Sequence, residues 1–193
     1  MSSLNDFLDA TDALKLRYAL LGALAVRAWN PYRKTHDVDV AIEKSDFWKL
    51  KNFLAPLGYF VVENPRLGKL ELKHRYKGDI DVYTDEVSGI RVSDLLKRSV
   101  ERELEGRRVR VVSPEDLIIL KAKAGRERDM ADISVVLVNL KDDLDWNYLK
   151  ERASSLKIDL KSFLLRSLER IPVYVENVPK VRKSIKKIIE ERL

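Results

Sequence analysis

The chain has 193 residues, 45% of them apolar, and a formal net charge of +6, which allows one globular domain, or one core with a helical appendage, and excludes a disordered protein. The absence of cysteine excludes disulfides, thiolate metal sites and a cysteine nucleophile and fits a reducing cytoplasm, while two histidines, His36 and His74, argue against a histidine-rich zinc site. The N-terminal MSSLNDFLDA lacks a basic stretch followed by an apolar run, and the longest apolar stretch, around Tyr18–Val26, falls far short of the about 20 residues of a membrane span, so a cytoplasmic protein without a membrane partner is expected.

In chain order, Leu4, Phe7, Leu8 and Leu14 recur near helical spacing and predict an amphipathic helix over 4–16. The apolar run Tyr18–Leu21 predicts a strand that meets a turn at Gly22, followed by a short helix over 23–29 that Asn30-Pro31 stops. Residues 37–42 alternate acidic and apolar as a strand does, so Asp37 and Asp39 share one face while Val38 and Val40 point into a core. Ser45 reads as the cap of a helix over 46–55 ending before Pro56. Strands are expected at 59–62, 69–75 and 79–83, the last two joined by a tight Tyr76-Lys77-Gly78 turn, then a helix near 93–100 and a strand at 108–112. Ser113-Pro114-Glu115-Asp116 combines a capping serine, proline at the first helical position and acids in the first turn. Beyond it the chain reads as helical, over 127–140, 145–154, 157–169 and 177–192. The fold class is α+β, with a mixed-sheet core at 1–112 and a helical part at 113–193.

Asp-x-Asp occurs three times, at 37/39, 79/81 and 143/145. The third opens a helix, where acids favour the positive end of the dipole, and is structural. The first two lie in strands, and carboxylates projecting from one face repel one another. A divalent cation relieves that repulsion: Mg2+ prefers hard oxygen ligands, and two such ions can clamp the attacking and leaving oxygens of an in-line displacement. The plain alternative is the exposed face of ordinary edge strands. Gly22, between a strand and a helix N-terminus, allows backbone to approach a phosphate, and Arg33 offers a fork of donors to phosphate oxygens or to a surface acid.

The run Leu21-Gly22-Ala23-Leu24-Ala25-Val26, followed by Arg33-x-Thr35-x-Asp37-Val38-Asp39-Val40, resembles the signature of the DNA polymerase β-type nucleotidyltransferase superfamily, and more narrowly its small prokaryotic branch of AbiEii-type toxins and minimal nucleotidyltransferases. Ser113–Lys121 and Ala124-Gly125-Arg126-x-x-Asp129-x-x-Asp132-Ile133 are similar to the same branch, so the resemblance covers about residues 16–140. It implies transfer of a nucleoside monophosphate from an NTP such as ATP to an acceptor hydroxyl, with two Mg2+ ions (or Mn2+) as cofactors. Asp37 and Asp39 would be catalytic metal ligands, joined by a third carboxylate from a later strand. Asp81, flanked by Ile80 and Val82 as Asp39 is by valines, is favoured over Asp79 for that place. Gly22, Ala23, Arg33, Thr35 and Lys121 would bind nucleotide. Ala23 departs from the pattern, which has glycine or serine there, and leaves only a backbone N–H. The acceptor is open among RNA, a protein side chain and a small molecule, with the positive charge leaning to RNA. The alternative is a non-catalytic nucleotide-binding protein or a toxin–antitoxin partner that binds a cognate antitoxin. His36, His74, Trp29 and Trp48 read as structural, both tryptophans as core aromatics.

Overall fold

A computed structural model of the chain describes residues 2–64 and 68–193. The backbone divides into two compact units, Met1–Ser113 and Pro114–Leu193. The first is α+β and the second helical. No helix among the described residues is long and apolar enough to cross a membrane.

In the first unit α1 (Ser3–Leu14) leads into β1 (Tyr18–Leu20), α2 (Gly22–Arg27) and β2 (Val38–Ile42), then α3 (Phe47–Leu54), β3 (Phe60–Asn64), β4 (Lys69–Lys73) and β5 (Ile80–Tyr83). A small hairpin of β6 (Glu86–Val87) and β7 (Ile90–Arg91) precedes α4 (Val92–Arg98), and β8 (Val100–Leu104) and β9 (Arg107–Val111) close the unit. Among the described residues seven strands form one mixed sheet in the order β3-β4-β5-β2-β1-β9-β8. The central pair β2–β5 is parallel, with Val38 opposite Ile80 and Val40 opposite Val82. Those four side chains are fully buried, as are Leu20, Ile42, Leu50, Leu54 and Leu95. The even-numbered valines of β2 thus anchor the strand, and pleating turns Asp39 to the opposite face. Phe7 packs edge-on against Tyr18 with ring centroids 5.3 Å apart, and Arg107 reaches from β9 to Asp9 and Asp12 of α1, each at 2.7 Å.

Several elements differ from the sequence reading. Ser45 lies inside a 3-10 turn over Lys44–Asp46 and does not cap α3, whose first residue is Phe47. Phe47 is buried, whereas Trp48 turns outward at 60% exposure and lies beneath the Lys51 ammonium, so only Trp29 of the two expected core tryptophans is buried. The β4–β5 connection runs over 74–79, longer than the three-residue turn expected, because His74 Nδ1 accepts from the backbone N–H groups of Tyr76 and Lys77 and organises the loop. Strand β8 was not foreseen: its Val-Glu-Arg-Glu-Leu carries three charges and pairs at the sheet edge with β9.

The second unit consists of α5 (Pro114–Ala124), α6 (Glu127–Leu140), α7 (Trp146–Ser155), α8 (Leu160–Ser167) and α9 (Val178–Arg192). Its core holds Leu117, Ile118, Ile119, Ile133, Val136, Leu137, Leu149, Leu164, Ile185 and Ile189. Asp145, from the third Asp-x-Asp, caps α7 by accepting from the Tyr148 N–H at 2.9 Å, the structural role expected of it. Helix α8 begins three residues later than expected because Asp159 caps it, accepting from the Ser162 N–H at 3.1 Å.

Candidate active site

Strand register assembles the site. Parallel pairing of β2 and β5 sets Asp39 opposite Asp81, and antiparallel pairing of β5 and β4 sets Asp81 opposite Glu71. Three acids therefore lie in one row across three strands, on the face opposite the buried valines. By the same alternation Asp37, just before β2, stands level with Asp79, just before β5. The Val38 N–H donates to the Asp79 carbonyl at 2.9 Å and fixes that level. Asp37 is exposed and Asp39 and Asp81 are half-buried.

Two glycines make this approach possible. Gly22, at φ +56°, lies directly against Asp39: a Cβ there would meet the Asp39 carboxylate at 2.2 Å. The Leu21 N–H also donates to the Asp39 carbonyl at 2.8 Å. The glycine turn and the second acid of the run are therefore in contact. At Gly78 a Cβ would lie 2.1 Å from the His36 carbonyl oxygen, so the segment carrying Asp37 rests on bare backbone. We expect Gly22→Ala to cost about 1–2 kcal/mol, because the left-handed conformation itself is unfavourable for alanine. The displaced carboxylate should swing away at little further cost in stability. Transfer activity should accordingly fall by more than the melting temperature suggests. A Gly22→Ala protein with wild-type activity and stability would show that this contact is unimportant.

The row is not bare of positive charge. Lys69 Nζ bonds Asp81 and lies 3.0 Å from Glu71, and Lys73 Nζ lies 2.9 Å from Glu71 and 2.6 Å from Asp79. Burial alone would lower the Lys69 pKa, but the bonds that its ammonium donates to Asp81 and Glu71 outweigh this and raise it. Tyr83, the next residue of that parity on β5, has its phenol pushed up to about 12, by burial first and then by the Asp39 charge. It stays a neutral phenol beside the acids. Sequence reasoning missed Lys69, Glu71, Lys73 and Tyr83. The signal was present: Lys69-x-Glu71-x-Lys73 alternates on a strand as Asp79-x-Asp81 does, with complementary charge.

As the side chains stand, no three acidic or histidine side chains among the described residues close around a common point as a metal cage. The donor chemistry nevertheless fits a divalent cation. The three acids of the row, with Asp37 and Asp79 just before the two strands, offer hard carboxylate oxygens, five acids against two lysines, and Asp39 and Asp81 are directly opposite one another.

The remaining candidates lie elsewhere. Arg33 and Thr35 lie in the segment that leads from α2 into β2, where the Arg33 guanidinium donates to the Lys34 carbonyl at 2.8 Å. Ala23 follows Gly22 in α2. Lys121 belongs to the second unit and is buried, with its ammonium 2.9 Å from Asp129 and 2.7 Å from Asp132. Asp129 also receives the Arg126 guanidinium at 2.6 Å and closes a capping box at the start of α6. Burial would raise the Asp129 pKa, but the Arg126 and Lys121 bonds hold it below the ordinary carboxylate range.

Residues 23–190 match the model of a family described as a nucleotidyl transferase of unknown function (DUF2204). The chain belongs to this family. The match spans both units and every acid of the row, and the protein is accordingly a nucleotidyltransferase, as the resemblance implied. The match does not reach the narrower AbiEii-type branch. Among solved structures the nucleotidyltransferase is similar to the lincosamide antibiotic adenylyltransferase LnuA in its lincomycin-bound form, with 19% identity, 69% of this chain and 93% of that one covered, and a TM-score of 0.57. It is similar to ANT(2″)-Ia in complex with adenylyl-2″-tobramycin, with 16% identity, 80% and 94% covered, and a TM-score of 0.63. A nucleotidyltransferase-like protein from Paracoccidioides brasiliensis gives 20% identity, 85% and 94% covered, and a TM-score of 0.50. At these identities the likeness is one of fold. No curated protein sequence matches the chain.

Proposed function

We propose that this nucleotidyltransferase carries out metal-dependent transfer of a nucleoside monophosphate from an NTP to an acceptor hydroxyl, releasing pyrophosphate. The observation that supports it most is the register that sets Asp39 beside Asp81 with Gly22 packed on Asp39. Asp37 and Asp39 would hold two Mg2+ ions, or Mn2+, and Asp81 would complete the donor set on the acceptor side. Bound there, the metal supplies charge neutralisation and Lewis acidity at the phosphoryl oxygens. Asp81 takes the proton of the acceptor hydroxyl as its oxygen bonds the α-phosphorus. The bond from that phosphorus to the bridging oxygen breaks, and pyrophosphate leaves with the electron pair. In this reading the backbone of Gly22 and Ala23, with Arg33 and Thr35 from the segment leading into β2, would face the triphosphate. For Lys121, burial between two aspartates favours a structural role over a phosphate contact.

The test is incubation with each labelled NTP and Mg2+ and a panel of acceptors: total RNA, cell lysate, and small molecules such as the lincomycin and tobramycin named for the two similar folds. Label should move to one acceptor class with Mg2+ and not with a chelator. In parallel, NTP with Mg2+ at about 100 times its Kd should stabilise the protein by about 2.7 kcal/mol, a rise of several degrees in melting temperature. A protein that only binds nucleotide, or that serves as an antitoxin partner, would show the thermal shift without transfer. Neither shift nor transfer under any condition would refute the reading.

A further inference from the structure

We propose that Lys69 is a built-in counter-cation of the carboxylate row, a positioning residue whose ammonium holds Asp81 when no metal is bound and must yield it to a divalent cation. The inference rests on the metal-dependent reading given above. Its basis is the difference between the two lysines. Glu71 has one oxygen on each of them: Oε1 lies 3.0 Å from Lys69 and Oε2 lies 2.9 Å from Lys73. Asp81 is bonded by Lys69 and Asp79 by Lys73. Lys69, Asp81 and Glu71 are shielded, with side chains 12%, 17% and 10% exposed, whereas Lys73 is 33% exposed.

Lys69 is therefore not a solvated surface lysine. It contributes a fixed positive charge at the carboxylate proposed as the third metal ligand. A divalent ion arriving on Asp81 meets like charge in a site poorly screened by water. Lys69 has a route out. A lysine ammonium is a compact point charge on a flexible stem, and Glu71 already accepts it on the side away from Asp39. Released from Asp81, it keeps Glu71, and no carboxylate of the row is left without a cation. The arrangement prevents the metal-free row from repelling itself apart and at the same time weakens metal binding below what the number of carboxylates alone would give.

The experiment is Mn2+ binding, followed by electron paramagnetic resonance, to the wild-type protein and to Lys69→Gln, Lys69→Arg and Lys73→Gln. Lys69→Gln should bind Mn2+ about tenfold more tightly than wild type, since one opposing charge at close range has gone. Lys69→Arg, which keeps the charge, should bind no more tightly than wild type, and Lys73→Gln should change affinity less than Lys69→Gln. A Lys69→Gln protein that binds Mn2+ as wild type does, or more weakly, overturns the inference and leaves the metal reading standing. Mn2+ binding by none of the proteins overturns both. A second measurement needs only wild type and the conservative variant. The Lys69 ammonium resonance, assigned by its loss in Lys69→Arg, should shift when wild-type protein is saturated with Mg2+. A resonance that stays in place at saturation overturns the inference even if Lys69→Gln does not fold.

Discussion

Asp39→Asn should abolish most nucleotide transfer while leaving the protein folded. Asparagine keeps the size of the side chain and one of its oxygens, so packing against Gly22 survives. It removes a negative charge that stands directly across from Asp81 on the neighbouring strand. Like charges opposite one another destabilise a sheet, so apo stability should stay within about 1 kcal/mol of wild type or rise. The cost falls on the reaction. Losing a ligand that positions charge neutralisation at the phosphoryl group should forfeit several kcal/mol of transition-state stabilisation, a loss of about a hundredfold or more in rate. Rates and denaturation curves on one purified sample decide the matter. Wild-type transfer together with a clear loss of stability would reduce the Asp37–Asp39 segment to a structural feature.

The second large effect concerns stability. Replacing Lys121 with methionine leaves the Asp129 and Asp132 carboxylates buried without the ammonium that joins them. Breaking a buried pair by removing one partner costs about 3–5 kcal/mol, because the remaining charge has neither water nor its counter-ion. For a chain of this length that corresponds to a fall in melting temperature on the order of 10 °C. The Arg126 guanidinium still holds Asp129, so α6 keeps part of its cap and the lower end of the range is expected. A lysine serving as a phosphate contact would behave in the opposite way, with stability kept and NTP affinity lost. Thermal denaturation and NTP titration of Lys121→Met therefore separate the two roles. Melting within a degree or two of wild type would refute the structural one.

The parts of the molecule governed by local periodicity were legible in the sequence. The alternation of Asp37–Val40 fixed both the strand and the face of its acids, and the Ser113–Asp116 start signal placed α5 to the residue. What escaped was set by partners distant in the chain. Strand β8, with charged Glu101, Arg102 and Glu103, has no core-facing pattern of its own and exists because β9 pairs with it. Ser45 looks like a helix cap, yet the chain turns there as a 3-10 segment and α3 opens on buried Phe47. At the site, the resemblance and the shared flanking pattern joined Asp81 to Asp37 and Asp39, but did not reveal that Asp39 lies directly opposite Asp81, since no local rule reports the register of a parallel pair. The lysines on β4 escaped for a different reason. A lysine on a strand reads as a solvated edge residue until the acid beside it is known.

The pairing of Asp39 with Asp81 through backbone register has an evolutionary consequence. The two residues are neighbours because their strands share a ladder, and not because the chain between them is short or fixed in length. Residues added to or lost from the excursion between β2 and β4 leave both acids where they are. Within β2 or β5 the tolerance vanishes. Deleting one residue from either strand turns its aspartate to the opposite side of the pleat and brings a valine or isoleucine into the row. Relatives should therefore vary widely in the length of that excursion while keeping the spacing inside the two strands strictly constant, which lets the surroundings of the site diversify around an unmoved pair of acids.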